Sequence, residues 1–251
     1  MTILEATSIL FNYPTVAITT STANKVAVIR NVKAMMSDYL TLRYRDMTIW
    51  TSANTIAGMY GHLSHYRETP AFFLHNVDMQ QEFNYVQLGR DARRMLATPN
   101  AGGTSILSEV MSMELMQRLL GAKMSKTEME LVYSTSNTPI TDYSCIIPAM
   151  NGQPAKRIAV SVTRAMAYQR KFRPEDAKRL LTKKLRGVFY SNQTLANEPI
   201  ERQILHIWTP SGAAANIVRK LWYKMPRELL CNTVVLVSIV NSHWIFDNRI
   251  Q

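Results

Sequence analysis

A chain of 251 residues, 47% hydrophobic and 19% charged, has enough material for a sizeable core and lies in the ordinary globular range, which excludes a long disordered region. No run nears the roughly 18 apolar residues of a spanning helix, and the start MTILEATSILFNYPT, with Glu5 and no basic opening, looks like neither a signal nor a transit peptide. The net charge of +11 comes from one stretch: Lys156 to Glu228 holds 16 Lys and Arg against 5 Asp and Glu, and the remainder carries 13 of each sign. Charge localised in this way suits an acidic polymer, because neutralising phosphates requires clustered cations.

In chain order, VAIT and KVAVI read as strands of a hairpin about the turn TSTAN, and NVKAMMSDYLTLRYRD as a helix. DMTIWTS, AFFLHNV and FNYVQLG read as further strands. His62, His65 and His75 lack a third ligand in a recognisable pattern and are expected as surface or loop residues. GRDARRMLATPNAGGTS reads as a basic helix start and a connector, its Pro99, Asn100, Gly102 and Gly103 marking a boundary between an N-terminal α+β region, 1–100, and an α/β domain, 101–251.

SILSEVMSMELMQRLLG has Thr104 or Ser105 as N-cap, Gly121 as stop, and an apolar stripe of Ile106, Leu107, Val110, Met113 and Leu120 that carries Glu109. Three strands follow. In TEMELVY, alternation sets Met129, Leu131 and Tyr133 against Glu128 and Glu130. ITDYSCII begins at Asp142, and RIAVSVTRA alternates Ile158, Val160 and Val162 against Ala159, Ser161 and Thr163, with Arg164 at its end. RPEDAKRLLTKKLRG is a helix with acids at its positive end and bases at its negative end, Leu180, Leu181 and Leu185 being its buried side. After the polar loop SNQTLANEP come the strand RQILHIWTP, the helix SGAAANIVRKLWYKMP, the strand TVVLVSIV, and HWIFDN as an edge strand. The fold expected is α/β, a central mixed sheet flanked by helices.

Cys145 and Cys231, both in or beside strands, point to a reducing intracellular compartment, cytoplasmic or nuclear, with no disulfide framework or Cys-held metal. The chain has no phosphate-binding Gly-rich loop, HExxH, CxxC or nucleophile elbow, and His206 and His243 have no catalytic context.

Helix, three strands, helix, strand, from Ser105 to Pro210, resembles in its order the common core of the PD-(D/E)XK nuclease superfamily. The resemblance implies a nuclease-like core in the second half. It implies a first-helix acid, a second-strand acid and an acid-x-Lys pair on the third strand, gathered about Mg²⁺ or Mn²⁺. Carried over, Glu109 is the helix acid and Asp142 the second-strand acid, whereas the third-strand pair falls on Ser161 and Thr163, which have neither carboxylate nor amine. Glu128 or Glu130 could supply a further metal ligand, and Arg164, Lys178 or Lys183 the cation. The viral cap-snatching endonucleases, which share this fold, have Thr at the lysine position and a lysine on the next helix, but keep the third-strand acid.

Three functions follow. The first is a nucleic-acid-binding protein, RNA or DNA, with a degenerate nuclease-like site; Arg164, Tyr168, Arg170, Lys171, Arg173, Lys178 and Lys184 mix an aromatic with cations for phosphate contact and base stacking. The second is a Mg²⁺- or Mn²⁺-dependent nuclease using Glu109, Asp142 and Glu128 as metal ligands with Lys183 as the cation. The third is a subunit of a ribonucleoprotein or viral assembly, its 15 methionines with Leu221, Trp222 and Tyr223 forming an adaptable contact surface for protein partners. No membrane partner is expected.

Overall fold

The computed structural model describes residues 39–64, 69–99, 105–150, 152–230 and 232–247. The expected VAIT and KVAVI strands, His65 and Cys231 lie outside the described residues. The strands are β1 (Tyr39–Arg43), β2 (Met47–Ser52), β3 (Ala71–Met79), β4 (Lys123–Thr127), β5 (Tyr143–Ile147), β6 (Lys156–Arg164), β7 (Arg202–Thr209) and β8 (Thr233–Val240). The helices are α1 (Ala53–Ser64), α2 (Arg90–Ala97), α3 (Ile106–Leu120), α4 (Pro174–Thr194), α5 (Gly212–Trp222) and α6 (Arg227–Leu230).

The strands form one mixed sheet in the order β1-β2-β3-β8-β7-β6-β5-β4, flanked by helices as expected. Its middle, β3-β8-β7-β6, is parallel, and both margins are antiparallel. Parallel strands with helices on both faces are buried on both sides, which is why TVVLVSIV is a near-continuous apolar run and why every residue of RQILHIWT, its polar ones included, is buried. Alternation divides them: Ile204, Trp208, Val234 and Leu236 join a core with α1, α2 and α3, while Leu205, Ile207, Val235 and Val237 join a second core with α4, α5 and α6. Strands from before and after residue 100 thus share one sheet, and residues 100–104 lie outside the described residues.

Helix α3 is buried almost all round, with 12 of its 15 residues inaccessible, so it is a core helix and not an amphipathic surface one. It ends at Gly121, whose φ of 62° is left-handed and whose N–H donates to the Gln117 carbonyl. Its buried serines and glutamates are each partnered. Glu114 accepts from the Gly89 N–H at 2.6 Å and from Arg118 Nε at 2.6 Å. Arg118 also grips Asp46 through two nitrogens, at 2.6 and 3.0 Å, and its guanidinium stacks 4.6 Å from the Tyr44 ring centre. Burial would raise the Asp46 carboxyl, but the guanidinium outweighs it and holds the group below its usual range. Ser112 bridges Tyr143 (2.8 Å) and His206 (2.7 Å), and His206 continues through Ser238 (2.8 Å) to His75 (2.7 Å).

That chain corrects one expectation: His75 is not a surface residue but 1% exposed, its pKa pushed down by burial to about 3. Other expectations also change. TEMELVY is not a strand; β4 ends at Thr127 and Glu128–Glu130 form a 3-10 turn, because the Glu130 carboxylate accepts from the Thr127 N–H at 2.8 Å and pairs with Arg94 at 2.6 Å. NVKAMMSDYLTLRYRD ends in β1, since the edge of β2 offers YLTLR a ladder that a helix would forgo. FNYVQLG holds a 3-10 turn at Phe83–Tyr85. HWIFDN is a turn that buries Trp244 and Ile245 instead of adding an edge. Helix α4 runs on through SNQT, held at its far end by a buried Thr141–Ser191 hydroxyl pair at 2.7 Å.

Arg118→Ala would strand two buried carboxylates, so it is expected to destabilise the fold by about 3–5 kcal/mol. Urea unfolding of the variant against the wild type measures this.

Candidate functional site

Asp142 sits immediately before β5, and because β5 and β6 are antiparallel it lies beside the C-terminal end of β6. The parallel strands β6, β7, β8 and β3 all end on that side, the side on which open α/β sheets place ligands. Asp142 Oδ2 accepts the Val162 N–H at 2.7 Å. Lys184, half-buried on α4, donates to the Val162 carbonyl at 3.0 Å, and its charge acts on both Asp142 and Glu109. Glu109, on the first turn of α3 and 6% exposed, accepts the Ser105 hydroxyl, which is thereby turned from capping to holding the carboxylate.

The two carboxyls are both pushed up. Burial raises Glu109 first and the Asp142 charge adds to it, taking it to about 7. Burial likewise raises Asp142, to about 6, against the pull of Lys184 and of the Val162 N–H. Glu128, on the turn after β4, raises both through its own charge. Arg164, at the end of β6, donates to the Asp247 carbonyl at 3.1 Å and interacts with Glu109 electrostatically. The result is a sheet-end cluster of two electrostatically interacting acids faced by two cations.

The fold therefore gathers Glu109, Asp142, Lys184 and Arg164, with Glu128 in electrostatic reach. It does not gather the rest. Ser161 is buried and Thr163 half-buried, and alternation turns both away from the core beneath α3 that takes Val160 and Val162. Lys183 and Lys178 point outward from α4 into a surface groove. Arg170 makes a bidentate pair with Asp176, at 2.6 and 2.7 Å, that fastens the loop to the start of α4. Tyr168, Lys171 and Arg173 are exposed, Tyr168 at 80%. Sequence reasoning placed Lys184 among the nucleic-acid contacts, not beside the acids. The step of one residue from Lys183 turns a helical side chain by about 100°, and only the packing of α4 shows which of the two faces inward.

Among the described residues no three His, Cys, Asp or Glu side chains gather closely enough to hold a metal ion. The Glu109 and Asp142 pair offers a hard cation at most two carboxylates, and the remaining ligands would have to come from water or from a phosphate. Of the residues offered as an assembly surface, Trp222 is core, packed on Phe72, while Tyr223 is exposed. Methionines 47, 59, 79, 95, 111, 113, 116 and 124 are buried. No helix among the described residues is long and apolar enough to cross a membrane.

No family model matches the chain. A Dictyostelium discoideum protein named AAC-rich mRNA clone AAC4 protein is 38% identical over 168 residues, which is 63% of this chain and 24% of that protein. The chain thus spans about a quarter of the length of that relative, whose name states no activity.

The raised carboxyls imply a direction for stability. A folded-state pKa above the unfolded value favours the protonated fold, so this contribution is complete below about 4.5 and is lost as pH rises through about 7. Glu109→Gln keeps the Ser105 contact and removes that loss. It is expected to be more stable than the wild type by about 1–3 kcal/mol at pH 8, with the difference fading by pH 5, as thermal melts across pH would measure.

Proposed function

We propose that this chain is a nucleic-acid-binding protein whose second half is a PD-(D/E)XK-like core with a degenerate catalytic site. The observation that carries the reading is the sheet-end cluster itself. Glu109 and Asp142 meet beside the end of β6, where the resemblance leads one to look for acids, while the third strand contributes only Ser161 and Thr163 in place of an acid and a lysine. The element order α3, β4, β5, β6, α4, β7 is in keeping with it. So is the basic surface, since the excess charge of the chain falls on the segment from β6 to α6. Two carboxylates, both raised in pKa and countered by Lys184 and Arg164, make a weak hold for a divalent ion and a tolerable neighbour for a phosphate.

A second reading, a Mg²⁺- or Mn²⁺-dependent nuclease, is favoured by one observation: Lys184 stands next to both acids, from the helix that follows the third strand. In that reading Glu109 and Asp142 would hold the ion together with substrate phosphate oxygens, the ion would polarise the phosphate, and Lys184 would offset developing charge.

The test is binding of short labelled single- and double-stranded RNA and DNA over a salt series, with Mn²⁺ added in parallel and the products run on a gel. Intact strands and an affinity falling about tenfold or more between 50 and 200 mM salt are expected. Cleavage that requires Mn²⁺ and vanishes in Asp142→Ala would replace this reading with the second one. Absence of binding at low salt would sink both.

A further inference from the structure

The sheet-end acids leave a second feature of α4 unused. Its outward face forms a shallow, open groove of 690 Å³, bordered by Pro139 and containing Lys178, Arg179, Lys183, Arg186 and Tyr190. Gly187 lies against Pro139 at contact distance, a Cβ there falling 3.4 Å from Pro139 Cβ. The cations at 179, 183 and 186 follow each other at three or four residues, one helix face at a pitch of roughly 4.5–6 Å along the axis. Lys178, Lys183 and Arg186 form no ion pair with any described residue, and Arg179, though 3.3 Å from Asp176, is 79% exposed. Glu175, at the helix start, is the one acid in the lining. Like charges at this spacing weaken a helix slightly. At the far end of the groove Tyr190 is 52% exposed, its ring held edge-on by Phe189 at 5.7 Å.

We propose that this face of α4 is a track for a single nucleic-acid strand, Lys178, Arg179, Lys183 and Arg186 taking successive phosphates and Tyr190 stacking one unpaired base. The inference rests on the nucleic-acid reading above and deepens it by naming the face and the form of the strand. A row of cations beside one exposed aromatic is the combination that binds single strands, because an unpaired base presents a π-face that a duplex hides. A duplex would meet the cations but not the ring. Lys184 is the next residue along from Lys183 and reaches the end of β6, so a strand in the groove lies along the same helix that delivers a cation to Glu109 and Asp142.

The experiment uses the full chain and fluorescence anisotropy with a labelled 12-nucleotide oligouridine and a labelled 12-base-pair duplex. The double variant Lys183→Glu/Arg186→Glu is compared with Arg219→Glu/Lys220→Glu, an equal charge change at exposed positions of α5. The α4 pair is expected to lose tenfold or more in oligouridine affinity and to lower the salt slope by about two, and the α5 pair to lose less than threefold. Tyr190→Ala is expected to weaken oligouridine about tenfold and leave duplex binding unchanged. Equal losses from the two charge pairs, with wild-type binding intact, would overturn the track and leave the nucleic-acid reading standing. Equal effects of Tyr190→Ala on both probes would overturn the single-strand assignment. No wild-type binding to either probe would remove the reading and the track together. Melting midpoints within a few degrees of the wild type show that the variants are folded.

Discussion

The molecule depends on keeping α3 in the interior. A helix buried on nearly every side cannot send its polar side chains to water, and this one carries two carboxylates and two hydroxyls among its buried residues. Each unsatisfied group would cost on the order of 1–3 kcal/mol, more if charged. Some partners are local, Ser105 for Glu109 and Arg118 for Glu114, and the others come from distant parts of the chain. Asp46 and Arg118 tie the β1–β2 hairpin to the end of the helix, Gly89 meets Glu114 just before α2, and Tyr143 and His206 reach Ser112 from β5 and β7. These contacts fix which strands lie beneath α3 and therefore where β6 ends relative to its first turn.

The candidate site is a by-product of that arrangement at the one polar residue of α3 near the sheet's edge. Glu109 cannot escape the interior, its hydroxyl partner Ser105 belongs to its own helix, and the nearest charge it meets is another acid, Asp142. Burial and like charge act in the same direction, and both carboxyls rise toward neutrality. Lys184 and Arg164 only partly offset this. Elsewhere among the described residues buried acids meet a cation directly, Arg118 for Asp46 and Arg157, at 2.9 Å, for Glu198. The contrast sets the sheet-end cluster apart from structural ion pairs, because an acid left raised in a fold that could have paired it carries a stability cost associated with functional sites.

Helix α4 works on both sides of itself. Its buried face, Leu181 and Leu185, packs on the sheet, Lys184 turns to the end of β6, and the exposed stripe carries the groove. One helix thereby links the acid cluster to the basic surface without any loop between them. The loop that precedes it is stiffened by the Arg170–Asp176 pair, so a cation that looks available in the sequence is already committed to the architecture.

Much of this was open to reading in the sequence, for physical reasons. Strands buried on both faces carry apolar residues on both, and TVVLVSIV, interrupted only by Ser238 after its opening Thr233, declares itself on that ground, while RQILHIWT does so through Ile204, Leu205, Ile207 and Trp208. A helix with proline and acids in its first turn and leucines at helical spacing declares itself, as α4 does, although it runs on past its bases to Thr194. Glu109 and Asp142 became candidates through the resemblance in element order, which puts an acid on the first helix and another at the second strand. What the sequence could not provide was orientation and partnership. TEMELVY alternates like a strand, yet a capping carboxylate and Arg94, 36 residues upstream of Glu130, turn it into a 3-10 bend. His75 lacks any metal spacing and so reads as a surface residue, but a hydroxyl ladder from three other elements makes its burial affordable. Lys183 and Lys184 are neighbours in sequence but stand about 100° apart around α4, one exposed and one turned to the end of β6. Composition and periodicity determined the class of fold, its elements and the residues worth watching; which lysine faces the acids, and which acids are left unneutralised, was decided only when α3 and α4 packed against opposite faces of one sheet.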